Sequence, residues 1–390
     1  MALETDNQQN LLGKFTIPVI DEDAKNDNPW HRNYHQPPRF KKLEPHSFPV
    51  LDIRPDISRP EYTPQALLKS HGFGVVKHES SLFENTSPDF DDGEVVYPSE
   101  QTIVEKYYPE MKDLIIKELG AKEIYITHSI VRGGEVPEVY KLPTGLNVKP
   151  HESQPDQKKG GKVDSESNNE DYDRHIHVST GQPIRVPHQD YTPLGARQSL
   201  RHQRQDIYQC ALESGILEAE DGICDGQPFS AESKESENLI FEKYNSVEKL
   251  GPRYAAYSIW RPLKKVQRDP LALCPRTKFN QNDSLIYWPY LNKVPGHPDL
   301  GGDFLKEYAI LGLDKFVCDS CGNNDFIPLK WYYVSEQRTD EVLFIKLFDS
   351  AALGENTEHA GAPWHASPDL GDAKNGEPRE SIELRVMVFW

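Results

Sequence analysis

An α+β fold with a β-barrel or jelly-roll core is what this sequence predicts, on three observations. Helical patterns fall early, between Thr63 and Gly120 and again from Gly195, whereas strand-like runs dominate the second half. The 31 prolines and 10% aromatic residues favour strands and turns over a helix bundle. Turn residues separate the late runs, and no internal repeat is present.

Residues 1 to about 45 are polar and rich in proline, asparagine and histidine, which predicts an arm that wraps the domain or is partly disordered. A single domain over 46–390 follows, opening with an extended segment at Phe48-Pro49-Val50-Leu51-Asp52-Ile53-Arg54. Thr63-Pro64 reads as N-cap and first turn of a helix that Gly72 ends, and Phe73 to His78 as a strand. Ser99 caps a second helix, with Ile103, Tyr107, Met111, Leu114 and Ile115 on one face and Gly120 as its stop. Glu123 to Val131 alternates like a strand. Polar, Gly- and Ser-rich residues at about 151–173 read as a surface insertion, a candidate lid but more simply a flexible loop. A strand at Pro183-Ile184-Arg185-Val186 comes next, then a helix from Gly195 to Ser214. Strands are expected at Tyr254–Pro262, Ser284–Trp288, Lys330–Val334, Glu341–Phe348 and Ser381–Phe389.

The net charge is −18, from 44 basic and 62 acidic residues, which argues against nucleic acid or an anionic membrane as main partner. With a mean hydropathy of −0.70 and no long apolar run, no transmembrane helix is expected, and Met1 to Asp6 do not resemble a signal peptide. Five scattered cysteines do not form a secreted disulfide framework, so a cytoplasmic protein is expected. Cys318-Asp319-Ser320-Cys321 resembles half a zinc knuckle, but no second pair exists, and a turn carrying two thiols is the simpler reading. No Gly-x-Gly-x-x-Gly or P-loop pattern is present. The expected partner is a small organic molecule, with self-association into a homodimer left open.

The chemistry concentrates in Val186-Pro187-His188-Gln189-Asp190-Tyr191. Alternate residues of a strand share a face, so His188 and Asp190 can reach one point. They supply two thirds of the His₂-carboxylate triad that holds non-haem Fe(II) on one side and leaves the other side open. A second His-x-Asp, at His297-Pro298-Asp299, lies among proline and glycines that indicate a turn. The third ligand must come from far along the chain. His365, in Pro363-Trp364-His365, has a more apolar setting than its rival His359, in Glu355-Asn356-Thr357-Glu358-His359. Arg379 and Ser381 open the next strand. A guanidinium there can pair with the far carboxylate of a dicarboxylate whose 2-oxo acid end chelates the metal, and a serine on the same face can donate to it. Arg385 can serve instead, or bind a substrate carboxylate. Arg261 and Arg268 are divided between buried ion pairs and a cosubstrate or substrate role. Tyr191, Tyr257, Trp260, Trp331 and Tyr333 can line an organic pocket, though strand aromatics are more often core.

Several segments occur together and in order: Leu68-x-x-x-Gly72-Phe73-Gly74-Val75-Val76, Val186-x-His188-x-Asp190-Tyr191, Ile259-Trp260-Arg261-Pro262 followed by Val266-x-Arg268-Asp269-Pro270-Leu271-Ala272, Phe348-Asp349-Ser350, and Arg379-x-Ser381-Ile382-Glu383-x-Arg385. In this order they resemble a mostly fungal group of hydroxylase/desaturases, which includes gibberellin desaturase-like and cephem methoxylase-like proteins. The resemblance covers most of residues 45 to 390. It implies a double-stranded β-helix with flanking helices, and an oxygenase that uses Fe(II), 2-oxoglutarate and O₂ on a secondary metabolite. His188, Asp190 and His365 would hold the metal, and Arg379 and Ser381 the oxo acid. Hydroxylation, desaturation and cyclisation remain open. The group's usual Pro-His-Thr/Ser-Ala-Phe stretch stands here as Pro363-Trp364-His365-Ala366-Ser367, with one residue inserted. The alternatives are a metal-dependent isomerase or hydrolase on a cupin-type barrel, and a non-catalytic ligand-binding barrel.

Overall fold

A computed structural model describes residues 3, 11–20, 40–83, 98–133, 176–179, 183–221, 251–275, 285–291, 305–311, 329–354, 357–371 and 376–390. Its strands, in chain order, begin with β1 (Leu11–Ile20), β2 (Phe40–Asp52), β3 (Phe73–Lys77), β4 (Glu123–Arg132) and β5 (Ile176–Ser179). They continue as β6 (His188–Gln189), β7 (Tyr254–Pro262), β8 (Ala272–Cys274), β9 (Leu285–Leu291) and β10 (Leu305–Leu311). The last are β11 (Trp331–Tyr333), β12 (Glu341–Asp349), β13 (Trp364–Ala366) and β14 (Ser381–Phe389). An eight-stranded sheet runs β1-β2-β11-β8-β13-β6-β10-β9, and a six-stranded sheet runs β3-β12-β7-β14-β4-β5. Non-consecutive neighbours and mainly antiparallel pairing give the jelly-roll, double-stranded β-helix architecture, an α+β fold once its helices are added.

The helical pieces are α1 (Arg54–Ile57), α2 (Pro64–His71), α3 (Glu100–Thr102), α4 (Tyr108–Leu119), α5 (Pro193–His202), α6 (Gln205–Glu213) and α7 (Ile216–Asp221). Gly72 and Gly120 end α2 and α4 with φ of 81° and 63°, a conformation that suits glycine. Ser99 Oγ accepts from the Thr102 N–H to start α3, and a π-helical turn, Ile103–Tyr107, joins α3 to α4. On this continuous helix Ile103, Tyr107, Met111, Leu114 and Ile115 pack against Ile126, Tyr257, Ile259, Ile382 and Leu384 on the outer face of the small sheet. Each such buried apolar side chain contributes about 1.5–3 kcal/mol.

Strand alternation decides what faces the space between the sheets. In β7 the odd-numbered Ala255, Tyr257 and Ile259 join the helix layer, so Ser258 and Trp260 point the other way. In β14, Ile382 and Leu384 face the helices, leaving Ser381, Glu383 and Arg385 on the inner face. Trp260 packs with Leu51, Phe73, Leu273, Leu343 and Ile345 in the core between the sheets. Trp331 belongs to a separate cluster with Phe15, Ile17, Val50 and Trp364, on the other face of the large sheet.

Several elements differ from the sequence reading. Ordered structure starts earlier, because β1 pairs with β2 in a ten-residue antiparallel register. Residues 183–187 form no strand. Pro183 and Pro187 lack the N–H a ladder needs, although Arg185 and Ile184 still accept from the Thr16 and Ser367 amides. The helix expected over Gly195 to Ser214 is two, broken at Arg204, whose φ and ψ are −149° and 143°. The short β8 and the strand β10 carried no recognisable signal. The polar stretch 151–173, His297-Pro298-Asp299 and Cys318/Cys321 lie outside the described residues. Among the described residues no helix is long and apolar enough to cross a membrane.

Candidate active site

His188 and His365 are cross-strand partners: β6 and β13 pair antiparallel with these two residues directly opposite. His365 also opposes Leu273 of the inter-sheet core, which places both imidazoles on the inner face of the large sheet. Neighbouring contacts hold the short strands in place. Gln189 Nε2 donates to the Ala362 carbonyl at 2.6 Å, two residues before β13. The Ser367 hydroxyl bonds to the Asp269 and Pro270 carbonyls at 2.9 Å each. Asp190 follows β6 and precedes the Thr192 cap of α5, whose Oγ1 accepts from the Gly195 N–H and donates to Glu307 Oε1 at 2.6 Å.

The rings of His188 and His365 lie 4.3 Å apart, and one ligand atom from each of His188, Asp190 and His365 falls within 4.8 Å of the others. His365 Nε2 is 3.1 Å from Asp190 Oδ2, and His188 Nε2 is 3.8 Å from Asp190 Oδ1. His188 Nδ1 lies 2.8 Å from the Val186 carbonyl, which can only accept; Nδ1 therefore carries the proton and Nε2 keeps its lone pair for a metal. Burial, then the neighbouring His365, pushes His188 down to about 4, so the imidazole is neutral at physiological pH. Burial opposes ionisation of Asp190, yet the Arg385 guanidinium and His365 hold it well below the usual carboxylate range. Two imidazoles and an ionised carboxylate fit a divalent non-haem iron.

The triad opens onto a cleft between the sheets, lined also by Trp260, Ser258, Ile345, Arg132, Arg379 and Glu383. Arg379 Nη1 donates to the Asp269 carbonyl at 2.9 Å and to Ser367 Oγ at 2.6 Å, and its guanidinium carbon stands 5.3 Å from the Trp260 ring centre. Ser381 Oγ is buried without a hydrogen-bond partner among the described residues, as a hydroxyl awaiting an acceptor would be.

Not every residue singled out from the sequence joins the cleft. Arg261 is fully buried on the helix side of β7, bonded to the His78 and Thr339 carbonyls, His78 Nδ1 and Tyr107 Oη. Its odd number puts it with Tyr257 on the outer face, so both leave the pocket; Arg261 is structural and Tyr257 is core. Tyr191 packs against the cluster around α5 and α6. Arg268 pairs with Asp269 beside the cleft rather than lining it. Among the described residues His359 is in no metal-capable group, and it faces the charges of Lys346 and Asp349. The sequence reading missed Ser258, Glu383 and Arg132. The first two are two residues from Trp260 and from Arg385, so strand period alone could have found them.

A two-sheet barrel carrying His, Asp and His at one cleft defines the mononuclear non-haem iron class. A family model described as "Oxidoreductase/YMDC permease-like domain" matches residues 15–214 and 325–389. The chain is 30% identical over 347 residues to the gibberellin cluster GA4 desaturase of Gibberella fujikuroi, covering 87% of this chain and 86% of that one. It is 26% identical over 380 residues to the oxidoreductase chry3 of Gibberella zeae (88% and 89% covered). It is 23% identical over 350 residues to the alpha-ketoglutarate-dependent dioxygenase tstK of Talaromyces stipitatus (90% and 87% covered). The solved iron and alpha-ketoglutarate-dependent endoperoxidase NvfI superposes with a TM-score of 0.51 at 19% identity over 98% of this chain and 99% of that one, a likeness of fold. The chain belongs to this family of fungal non-haem Fe(II)/2-oxoglutarate-dependent oxygenases on a double-stranded β-helix. It is thus an enzyme, an oxidoreductase acting on a small molecule, and not a passive barrel.

Proposed function

We propose that His188, Asp190 and His365 hold one Fe(II), that Arg379 and Ser381 anchor 2-oxoglutarate, and that the enzyme uses O₂ to oxidise a secondary metabolite. The observation that carries this reading is the convergence of three ligand atoms within 4.8 Å of one another, beside a cleft that Arg379 lines. Iron held there supplies oxygen activation coupled to decarboxylation of a 2-oxo acid, chemistry strong enough to oxidise an unactivated C–H bond.

The chain's own residues orient and enclose. The Val186 carbonyl fixes the His188 tautomer. Asp269 and Ser367 hold one nitrogen of Arg379, leaving Nε and Nη2 for a carboxylate fork that lysine cannot copy. Ser381, two residues on at the start of β14, adds a hydroxyl donor to that carboxylate. Trp260 and Ile345 form an apolar wall that excludes water from the reacting region. The names of the relatives, a GA4 desaturase and hydroxylase/desaturases, support a compact organic substrate that loses hydrogen or gains a hydroxyl.

The test is Fe(II)- and O₂-dependent formation of succinate from 2-oxoglutarate by purified protein. Wild type is expected to bind one iron per chain and form succinate, while His188→Ala loses both. Full iron stoichiometry in His188→Ala would overturn the assignment.

A further inference from the structure

We propose that Arg385, Glu383 and Ser258 form a clamp from the small sheet that restricts Asp190 to one-oxygen ligation of the metal; this rests on the ligand assignment above. Arg385 Nη1 donates to Asp190 Oδ2 at 2.6 Å. Arg385 Nε lies 2.6 Å from Glu383 Oε1, and the Ser258 hydroxyl donates to that same oxygen at 2.7 Å. Ser258 and Arg385 are also opposed in the β7–β14 register, so the chain of contacts is built into the sheet. It crosses the gap between the sheets and ends on the one carboxylate of the triad.

A carboxylate can bind a metal through one oxygen or chelate it through both. Asp190 Oδ2 accepts from a guanidinium at short range, which takes up one of its lone pairs, competes with a metal for that oxygen and ties the carboxylate plane to β14. Three single-point protein ligands leave an octahedral ion three open positions, enough for a chelating oxo acid and one diatomic molecule. Chelation by Asp190 would remove the last of them. Glu383 looks like a catalytic base in the cleft, yet Ser258 and Arg385 both engage its Oε1, and it acts here through Arg385. All three are positioning residues, and Arg385 is no longer available as a carboxylate anchor.

The test uses full-length protein as Arg385→Gln, Arg385→Lys and Glu383→Gln, loaded without oxygen. Two readouts are followed: the visible absorption of the Co(II) form, which reports coordination number, and the nitrosyl signal when nitric oxide, a stand-in for O₂, is added to the Fe(II)–2-oxoglutarate complex. Arg385→Gln is expected to shift the Co(II) spectrum before any oxo acid is added and to lose about tenfold of the nitrosyl signal. Arg385→Lys should restore most of it, and Glu383→Gln should give a smaller loss of the same kind. An unchanged Co(II) spectrum with only weaker 2-oxoglutarate binding would make Arg385 a cosubstrate anchor and overturn the clamp. If Arg385→Gln does not fold, Glu383→Gln decides by the same two signals. Failure of the ligand assignment itself shows separately, as retained Co(II) binding in His188→Ala.

Discussion

Arg379→Gln separates an anchoring arginine from a structural one. Burial, then the nearby Arg132, pushes the Arg379 guanidinium from 12.5 down to about 10. That depression is equivalent to about 3 kcal/mol against carrying the charge in the folded protein, and about half of it survives because the side chain is partly exposed. Glutamine removes the charge but gives up the bonds to the Asp269 carbonyl and Ser367 Oγ. Those are worth about 1 kcal/mol each, so the two effects nearly cancel. The melting temperature without cosubstrate should therefore move by no more than about 2 °C. Binding is different. The fork from Nε and Nη2 would supply two charge-assisted hydrogen bonds of about 1.5–3 kcal/mol each, of which glutamine keeps one neutral bond. A net loss of about 3 kcal/mol weakens 2-oxoglutarate about 150-fold. Calorimetric titration of 2-oxoglutarate into anaerobic Mn(II)-loaded protein measures this, beside a thermal melt of the same samples. A dissociation constant within about threefold of wild type refutes the anchoring role. A melting temperature lower by more than about 5 °C would make Arg379 structural.

Three further outcomes follow from the same geometry. His365→Ala should abolish tight Fe(II) binding, whereas His359→Ala should leave it within about twofold, measured by metal titration. Arg261→Ala should destabilise the fold by about 3 kcal/mol or more in urea unfolding, because it strands the His78 and Thr339 carbonyls, without altering the affinity of the remaining folded protein for 2-oxoglutarate. Burial would raise Glu341, but bonds from Arg54 and Lys77 hold it at about 2, below its ordinary 4.5. A lowered carboxylate stabilises above its unfolded value and loses that stability as pH falls from about 4.5 through about 2, so Glu341→Gln should flatten the acid limb of a stability profile by about 2 kcal/mol after screening.

Much of the site was legible because its chemistry is tied to spacing. His188 and Asp190 sit two apart, Arg379 lies just before β14, and Ser381 and Arg385 are on that strand, whose period assigns their faces. Flanking polarity favoured His365 over His359, and the structure places His365 in strand β13, opposite His188. The failures have equally local causes. Residue type leaves Arg261 and Tyr257 open to a pocket role, whereas their odd positions in β7 set them opposite Trp260. A strand over Pro183 to Val186 conflicts with the prolines that open and follow it, Pro183 and Pro187. The three-residue β8 has no periodicity to read, and β1 was hidden in a polar N-terminal stretch whose pairing with β2 is a tertiary fact.

The pairing of β13 with β6 has one more implication. Because facing alternates, a slip of a single position would send Trp364 or Ala366 inward and turn the imidazole to the far side of the sheet. The grip of Gln189 on the Ala362 carbonyl, two residues before this three-residue strand, helps to hold that register. Length can drift in the loops of this enzyme, but the alignment of two very short strands cannot, and a metal gripping both would act as the rivet that keeps them matched.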